Sequence, residues 1–150
     1  MTRTGYRLVV AAVVLCFAHH IDHALRGSQA TGWPLSGSVN AFTYSLAIYP
    51  IIVTMAVLSW RGRCGPRSWV LLSAGGALFV LAVHLGPAAG DAVADIPDGY
   101  TSPVAGIVAV VVLVAFIAVL VCTAAYEARL ARHRSPSADA GVRRARRAAR

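Results

Sequence analysis

Four apolar stretches, each near twenty residues long, dominate this 150-residue chain. A helix needs about 20 residues to cross the ~30 Å hydrocarbon core of a bilayer, so each stretch is long enough to span one. They cover residues 6–25, 41–60, 69–89 and 103–125. The chain is 57% hydrophobic and 13% charged, a composition typical of membrane proteins. We therefore predict an all-α integral membrane protein, a four-transmembrane-helix bundle formed by residues 1–134.

The placement of the fourteen basic residues, all of them Arg, predicts the orientation of the bundle. Thirteen of them lie near the N-terminus, between the second and third stretches, and after the fourth stretch, and only Arg26 lies between the first and second. The link between the third and fourth stretches instead carries three aspartates and no basic residue: Asp91, Asp95 and Asp98. By the positive-inside rule, both termini and the middle link lie in the cytoplasm, and Trp33 and Tyr100 lie at the outer interface. We predict a multi-pass protein of the bacterial inner membrane.

The tail and the fourth stretch are predicted to have no part in chemistry. Ser135-Pro136-Ser137 interrupts a basic helical extension, so residues 135–150 are predicted to form a flexible, Arg-rich cytoplasmic tail. Each Arg near anionic lipid contributes about 1 kcal/mol of attraction. Nucleic acid is not an expected partner, because no aromatic residues interleave with these arginines to stack bases. The fourth stretch has no polar side chain between Ser102 and Cys122, which predicts a structural, lipid-facing helix.

The end of the first stretch carries most of the ionisable groups found in the apolar segments. The candidate site residues there are Cys16, His19, His20, Asp22, His23 and Arg26. On a helix, the cysteine and the three histidines fall within an arc of about 100° and share one face. Asp22 and Arg26 lie beside that face at i,i+4 spacing. Ionisable groups inside a membrane are costly and by default mark a functional site.

A fourth membrane histidine, His84, is predicted to reach the same layer. The first and third stretches both run from inside to outside, and a helix rises 1.5 Å per residue. His19 then lies roughly 17 Å, and His23 and His84 roughly 22 Å, above the inner ends of their helices. We therefore expect one shared site in the outer leaflet.

Three kinds of chemistry fit these residues. His19, His23 and His84, with His20, Asp22, Cys16 or Asp91 in addition, suit a transition-metal ion: Zn, Cu, Ni or Fe. His19 and His84 also suit a b-type haem, with Arg26 near its propionates. Without a cofactor, the layer would serve helix packing or a proton relay in an accessory or scaffold subunit.

With a metal or haem, the predicted function is metal handling or electron transfer. The protein is expected to act as a homo-oligomer or as a subunit of a larger membrane complex. The residues leave open whether it is an enzyme. The first stretch also fits a secretory signal peptide cleaved after Ala18, which is kept as an alternative.

Overall fold

The computed structural model describes residues 1–26, 41–86 and 91–148, with side chains at 1–26, 42–86 and 91–133. Within those ranges the chain is helical and contains no strand. The helices are α1 (Arg3–Arg26), α2 (Ala41–Ser45), α3 (Ile48–Trp60), α4 (Pro66–Leu85) and α5 (Pro103–Ala148), with 3₁₀ turns at Val93–Asp95 and Pro97–Gly99.

Four helical segments are long and apolar enough to cross a membrane: Arg3–Arg26, Phe42–Trp60, Pro66–Leu85 and Pro103–His133. The predictions of an all-α fold and of four such segments are confirmed, and they indicate a multi-pass membrane protein. Of the predicted third stretch, residues 87–89 lie outside the described residues, as does Trp33 of the predicted outer interface.

The central helix of the fold is α5, against which both α1 and α4 pack. Leu113, Phe116 and Leu120 of α5 are buried in the core, whereas Val111 and Val114 are exposed. This helix was predicted to be structural and lipid-facing; its exposed side fits that prediction, and its buried side, which forms the core, was not predicted. A helix that is apolar all round carries no pattern that distinguishes its buried face from its lipid face.

The second predicted stretch is broken into α2 and α3 by a turn at residues 46–47. Pro50 explains the position of this break, because proline has no N–H to donate to the carbonyl of Leu46, four residues earlier. The Leu46 carbonyl instead accepts a 3.3 Å hydrogen bond from the Tyr49 N–H. None of the residues of α3 is buried, so this helix packs only loosely against the other three segments.

The last helix is longer than predicted. The backbone of α5 stays helical through Ser135-Pro136-Ser137 to Ala148, so the predicted break at that tripeptide was wrong. Arg and Ala, which are strong helix formers, surround the tripeptide and favour continuation of the helix.

The segment from 91 to 100 folds back onto the C-terminal end of α1 and the N-terminal end of α5. Ile96 is fully buried. A Cβ at Gly106 would lie 2.7 Å from Pro97 Cα, and a Cβ at Gly99 would lie 2.8 Å from Arg26 Cδ. Gly106 thus permits a close approach of the segment to α5, and Gly99 permits its close approach to Arg26 of α1.

Candidate metal centre

Three buried imidazoles converge where α1 and α4 meet. His19 and His23 lie one turn apart on α1, and His84 lies in the last turn of α4. His19 Nε2 is 3.1 Å from His23 Nε2 and 3.2 Å from His84 Nε2. One nitrogen of each ring lies within 4.8 Å of the other two, close enough for all three to hold one metal ion. The prediction that His84 joins the histidines of α1 is confirmed.

The nitrogen separations match those of a tetrahedral ion. Two ligands bound at 2.0–2.1 Å at the tetrahedral angle are about 3.3 Å apart. The two measured separations, 3.1 and 3.2 Å, are within about 0.2 Å of that value. The third pair of nitrogens, on His23 and His84, lies within 4.8 Å.

Three neutral imidazoles do not have enough suitably placed protons to make both of these short nitrogen–nitrogen contacts hydrogen bonds. His84 Nδ1 donates a 2.7 Å hydrogen bond to the carbonyl of Asp91, so Nε2 of the neutral ring carries only a lone pair. His19 Nε2 faces that lone pair and the His23 ring at the same time. With at most one proton on His19 Nε2, only one of the two short contacts can be a well-directed hydrogen bond. A cation bound by all three lone pairs removes the conflict.

Asp91 lies beside the second ring nitrogen, Nδ1, of two of these histidines. Its carboxylate Oδ2 lies 3.5 Å from Nδ1 of both His23 and His84. Metal-binding histidines almost always use their second nitrogen in this way, toward a carboxylate or a backbone carbonyl. His19 Nδ1 is buried and has no hydrogen-bond partner within the described part of the chain, so the support is incomplete at this ligand.

A buried ionic network fixes Asp91 in turn. Arg26 donates to Asp91 Oδ1 and Oδ2 at 2.7 and 2.8 Å and to Asp22 Oδ1 and Oδ2 at 2.8 and 2.6 Å. Tyr100 donates a 2.6 Å hydrogen bond to Asp22 Oδ1. Such bidentate pairs are the strong form of charge-assisted hydrogen bond. The network links α1 to both ends of the 91–100 segment.

The same contacts shift two pKa values. Burial alone raises the pKa of Asp91, but the hydrogen bonds and positive charge of Arg26 outweigh burial, and the pKa of Asp91 lies below its ordinary value. Burial, together with the hydrogen bond to Asp22, raises the pKa of Tyr100 to about 12. Asp91 is therefore a carboxylate at neutral pH, and Tyr100 is a hydrogen-bond donor.

The remaining predicted ligands lie outside the converging set. His20 accepts a 2.7 Å hydrogen bond from the Tyr49 hydroxyl at Nδ1 and donates a 2.8 Å bond from Nε2 to Ser45 Oγ, whose own proton goes to the Phe42 carbonyl. Cys16 Sγ lies 3.5 Å from His20 Nδ1. His20 and Cys16 thus belong to the contact between α1 and the α2–α3 segment, and Asp22 belongs to the Arg26 network.

Two tyrosines that contact site residues were not predicted to do so. Tyr49 lies eight residues after the start of the second stretch, which is predicted to begin at the outer side, so its expected depth is near that of the histidines and was a usable signal. Tyr100 gave none, because its contact with Asp22 depends on the path of the 91–100 segment.

Comparison of this chain with protein-family models, curated proteins and solved structures found no match in any of the three.

Proposed function

We propose that this protein is a multi-pass protein of the bacterial inner membrane that binds one transition-metal ion through His19, His23 and His84. The observation that carries the proposal is the convergence of three buried Nε2 atoms, with two separations of 3.1 and 3.2 Å. The Arg distribution supports an orientation with both termini in the cytoplasm and the metal centre in the outer leaflet.

The ligand set favours an ion that accepts imidazole, namely Zn, Cu, Ni or Fe. No fourth His, Cys, Asp or Glu joins the three histidines within the described residues. Asp91 is held on the far side of the rings by Arg26 and is not placed as that fourth ligand. Three protein ligands with one exchangeable position are typical of sites that react with or pass on a ligand rather than of closed structural sites. This supports metal handling or metal-dependent chemistry, including one-electron transfer if the ion is Cu or Fe.

The geometry supports a single ion better than a b-type haem. Two nitrogens on opposite sides of an iron would be separated by two bond lengths, about 4 Å for bonds near 2.0 Å. The Nε2 atoms of His19 and His84 are 3.2 Å apart, and His23 Nε2 also contacts His19 Nε2. Arg26, the candidate partner of the propionates, already binds two carboxylates.

The competing proposal is an accessory or scaffold subunit without a cofactor. The buried network of Arg26, Asp22 and Asp91 supports it, because these contacts hold the chain together without any ion.

Elemental analysis and absorption spectroscopy of the detergent-purified protein separate these proposals. After expression with metals and haem available, we expect one equivalent of metal per chain and no Soret band. His19→Ala and His84→Ala should lose the metal. His133→Ala is the matched control, because His133 is exposed and lies at the far end of the membrane-spanning part of α5. Metal-free wild-type protein, or a His84→Ala protein that keeps its metal, would favour the scaffold. A Soret band lost on His84→Ala would favour haem.

A further inference from the structure

An elongated cavity begins at the three histidines and extends through the bundle. It has a volume of about 370 Å³ and runs along α4 from His84 to Trp69. Those residues are separated by a helical rise of about 22 Å. Helices α1, α3, α4 and α5 all contribute to its wall. The volume is within the range of small-molecule sites, which are mostly apolar with a few polar groups in fixed positions.

The cavity has one end suited to a polar group. His19, His23 and His84 border it at that end. Toward the other end its wall is formed mostly by aliphatic and aromatic side chains, and no Asp, Glu or Arg is among the described residues that line it. The hydroxyl of Thr123, at the far end, donates to the carbonyl of Val119 within its own helix. A fitting ligand therefore has one polar head and one apolar chain.

The charge of the centre selects the head group. Asp22, Asp91 and Arg26 together carry one net negative charge, and the three metal-binding imidazoles are neutral when they bind an ion. A divalent ion then leaves one net positive charge in a buried site, where an uncompensated charge is costly. One anionic oxygen ligand at the fourth position neutralises it.

The cavity also reaches the surface of the bundle that would contact lipid. Tyr44, Leu71 and Phe79 line it and are exposed. The loosely packed α3, which buries no residue, forms part of the same wall. A ligand can therefore enter from the hydrocarbon phase, which favours a molecule that dissolves in the bilayer.

We propose that the cavity binds one long-chain monocarboxylate, with the alkyl chain along α4 and the carboxylate as the fourth ligand of the metal. This rests on the metal centre proposed above and names the class of molecule on which that centre acts. A separate cavity at the Trp69 end holds only about 20 Å³, which is too small for the second chain of a two-chain lipid.

The test uses cobalt(II) as the metal and palmitate as the ligand, with the full chain in dodecyl maltoside micelles. Tetrahedral cobalt has visible d–d bands that respond to a change of ligand. We expect palmitate to change these bands to saturation at one equivalent, and its carboxyl carbon, labelled with ¹³C, to show paramagnetic relaxation. Methyl palmitate, which has the same chain but no anionic oxygen, should produce neither effect.

Two variants test the position of the alkyl chain of palmitate. A Cβ at Gly75 meets no atom within 4 Å, and one at Gly76 meets only Leu120 at ordinary contact distances. Both glycines line the cavity, so Gly75→Leu and Gly76→Leu should fill it and weaken palmitate binding roughly tenfold or more while cobalt binding persists. The matched control is Leu78→Phe, which adds volume at an exposed position of the same helix outside the cavity.

The outcomes separate this proposal from the one on which it rests. Cobalt bands that appear but do not respond to palmitate would overturn the carboxylate proposal and leave the metal centre intact. An equal response to palmitate in wild type and in both glycine variants would also overturn it, because the alkyl chain of palmitate would then lie outside the cavity. Failure of the wild-type protein to bind cobalt would overturn both proposals.

Discussion

Two consecutive histidines of α1 have different roles. His19 directs Nε2 toward His23 and His84, whereas His20 points about 100° away around the helix and bonds to Ser45 and Tyr49. The two rings differ in their neighbours. The neutral ring of His20 has one nitrogen that donates and one that accepts, and both make hydrogen bonds. At His19 the Nε2 atom has two nitrogen neighbours. The arrangement at His19 suits a metal ion, and the arrangement at His20 suits a structural contact.

Asp91→Asn should weaken metal binding without removing a ligand. The substitution keeps the backbone carbonyl that accepts from His84 but removes the negative charge near the Nδ1 atoms of His23 and His84. Loss of such a supporting group typically costs 10–100-fold in metal affinity. A chelator competition titration measures this directly. Asp95→Asn, at an exposed aspartate of the same segment, should bind as the wild type does, and equal affinities in all three proteins would contradict the supporting role of Asp91.

The low pKa of Asp91 predicts how the stability of the metal-free protein depends on pH. A carboxyl whose pKa is lower in the folded state stabilises the fold above its unfolded pKa, about 3.9. That stabilisation is lost as the pH falls through the folded value. Thermal unfolding should thus show a wild-type advantage over Asp91→Asn that is constant above about pH 5 and shrinks below about pH 4. An advantage that persists unchanged at pH 3 would contradict the ion pair with Arg26.

The sequence predicted which histidines converge where spacing and depth were enough. The i,i+4 spacing placed His19 and His23 on one face, and helical rise placed His84 at their level. Rise does not give the rotation of one helix about its axis relative to another. For this reason His20 remained an equal candidate ligand, and its bonds to Ser45 and Tyr49 could not be foreseen. The place of Asp91 beside the rings depends on the fold of the 91–100 segment, which carries no periodic pattern.

At the level of elements, the α2–α3 segment stands apart from the other three. It has no buried residue in α3, and the hydrogen bonds of His20 to Ser45 and Tyr49 attach it to α1. The apolar stretch was predictable from length and composition. The turn at 46–47 is explained by Pro50, but the loose packing did not follow from the sequence, because hydropathy shows how apolar a helix is and not how well it packs against its neighbours. Which helix becomes central depends on shape complementarity between the helices.

Tyr49→Phe should loosen α3 while leaving the metal centre intact. It removes the hydroxyl that donates to His20 at 2.7 Å. Hydrogen bonds between membrane helices contribute on average about 0.6 kcal/mol and at most about 1.7. Amide exchange in residues 48–60 should therefore become roughly 3- to 20-fold faster, as measured by hydrogen–deuterium exchange.

Tyr44→Phe is the matched control for that experiment, because Tyr44 lies on the same segment and is exposed. It should leave exchange in α3 unchanged. Unchanged exchange in Tyr49→Phe as well would show that the His20 contacts do not hold the segment. Loss of metal in Tyr49→Phe would show that the α2–α3 segment and the metal centre are coupled.

For the whole molecule, the acidic residues and the three converging histidines lie at the same end of the bundle. The Arg-rich regions lie at the start of α1, between α3 and α4, and along the end of α5, whereas Asp91, Asp95 and Asp98 lie at the opposite ends of the helices. The histidines converge at the aspartate end. In the proposed orientation, the proposed metal centre would exchange its ion on the outer side of the membrane, where an acidic rim attracts cations.

Cysteine labelling in bacterial spheroplasts tests this orientation. Cys64, between α3 and α4, is expected in the cytoplasm, and Asp95→Cys introduces a thiol at an exposed position on the opposite side. A maleimide that does not cross membranes should label Asp95→Cys in intact spheroplasts and should label Cys64 only after permeabilisation. Cys16 is buried and Cys122 lies within a segment that is long and apolar enough to cross the membrane, so neither is expected to compete for the reagent. Labelling of Cys64 in intact spheroplasts would reverse the orientation and place the metal centre, with its carboxylate site, toward the cytoplasm.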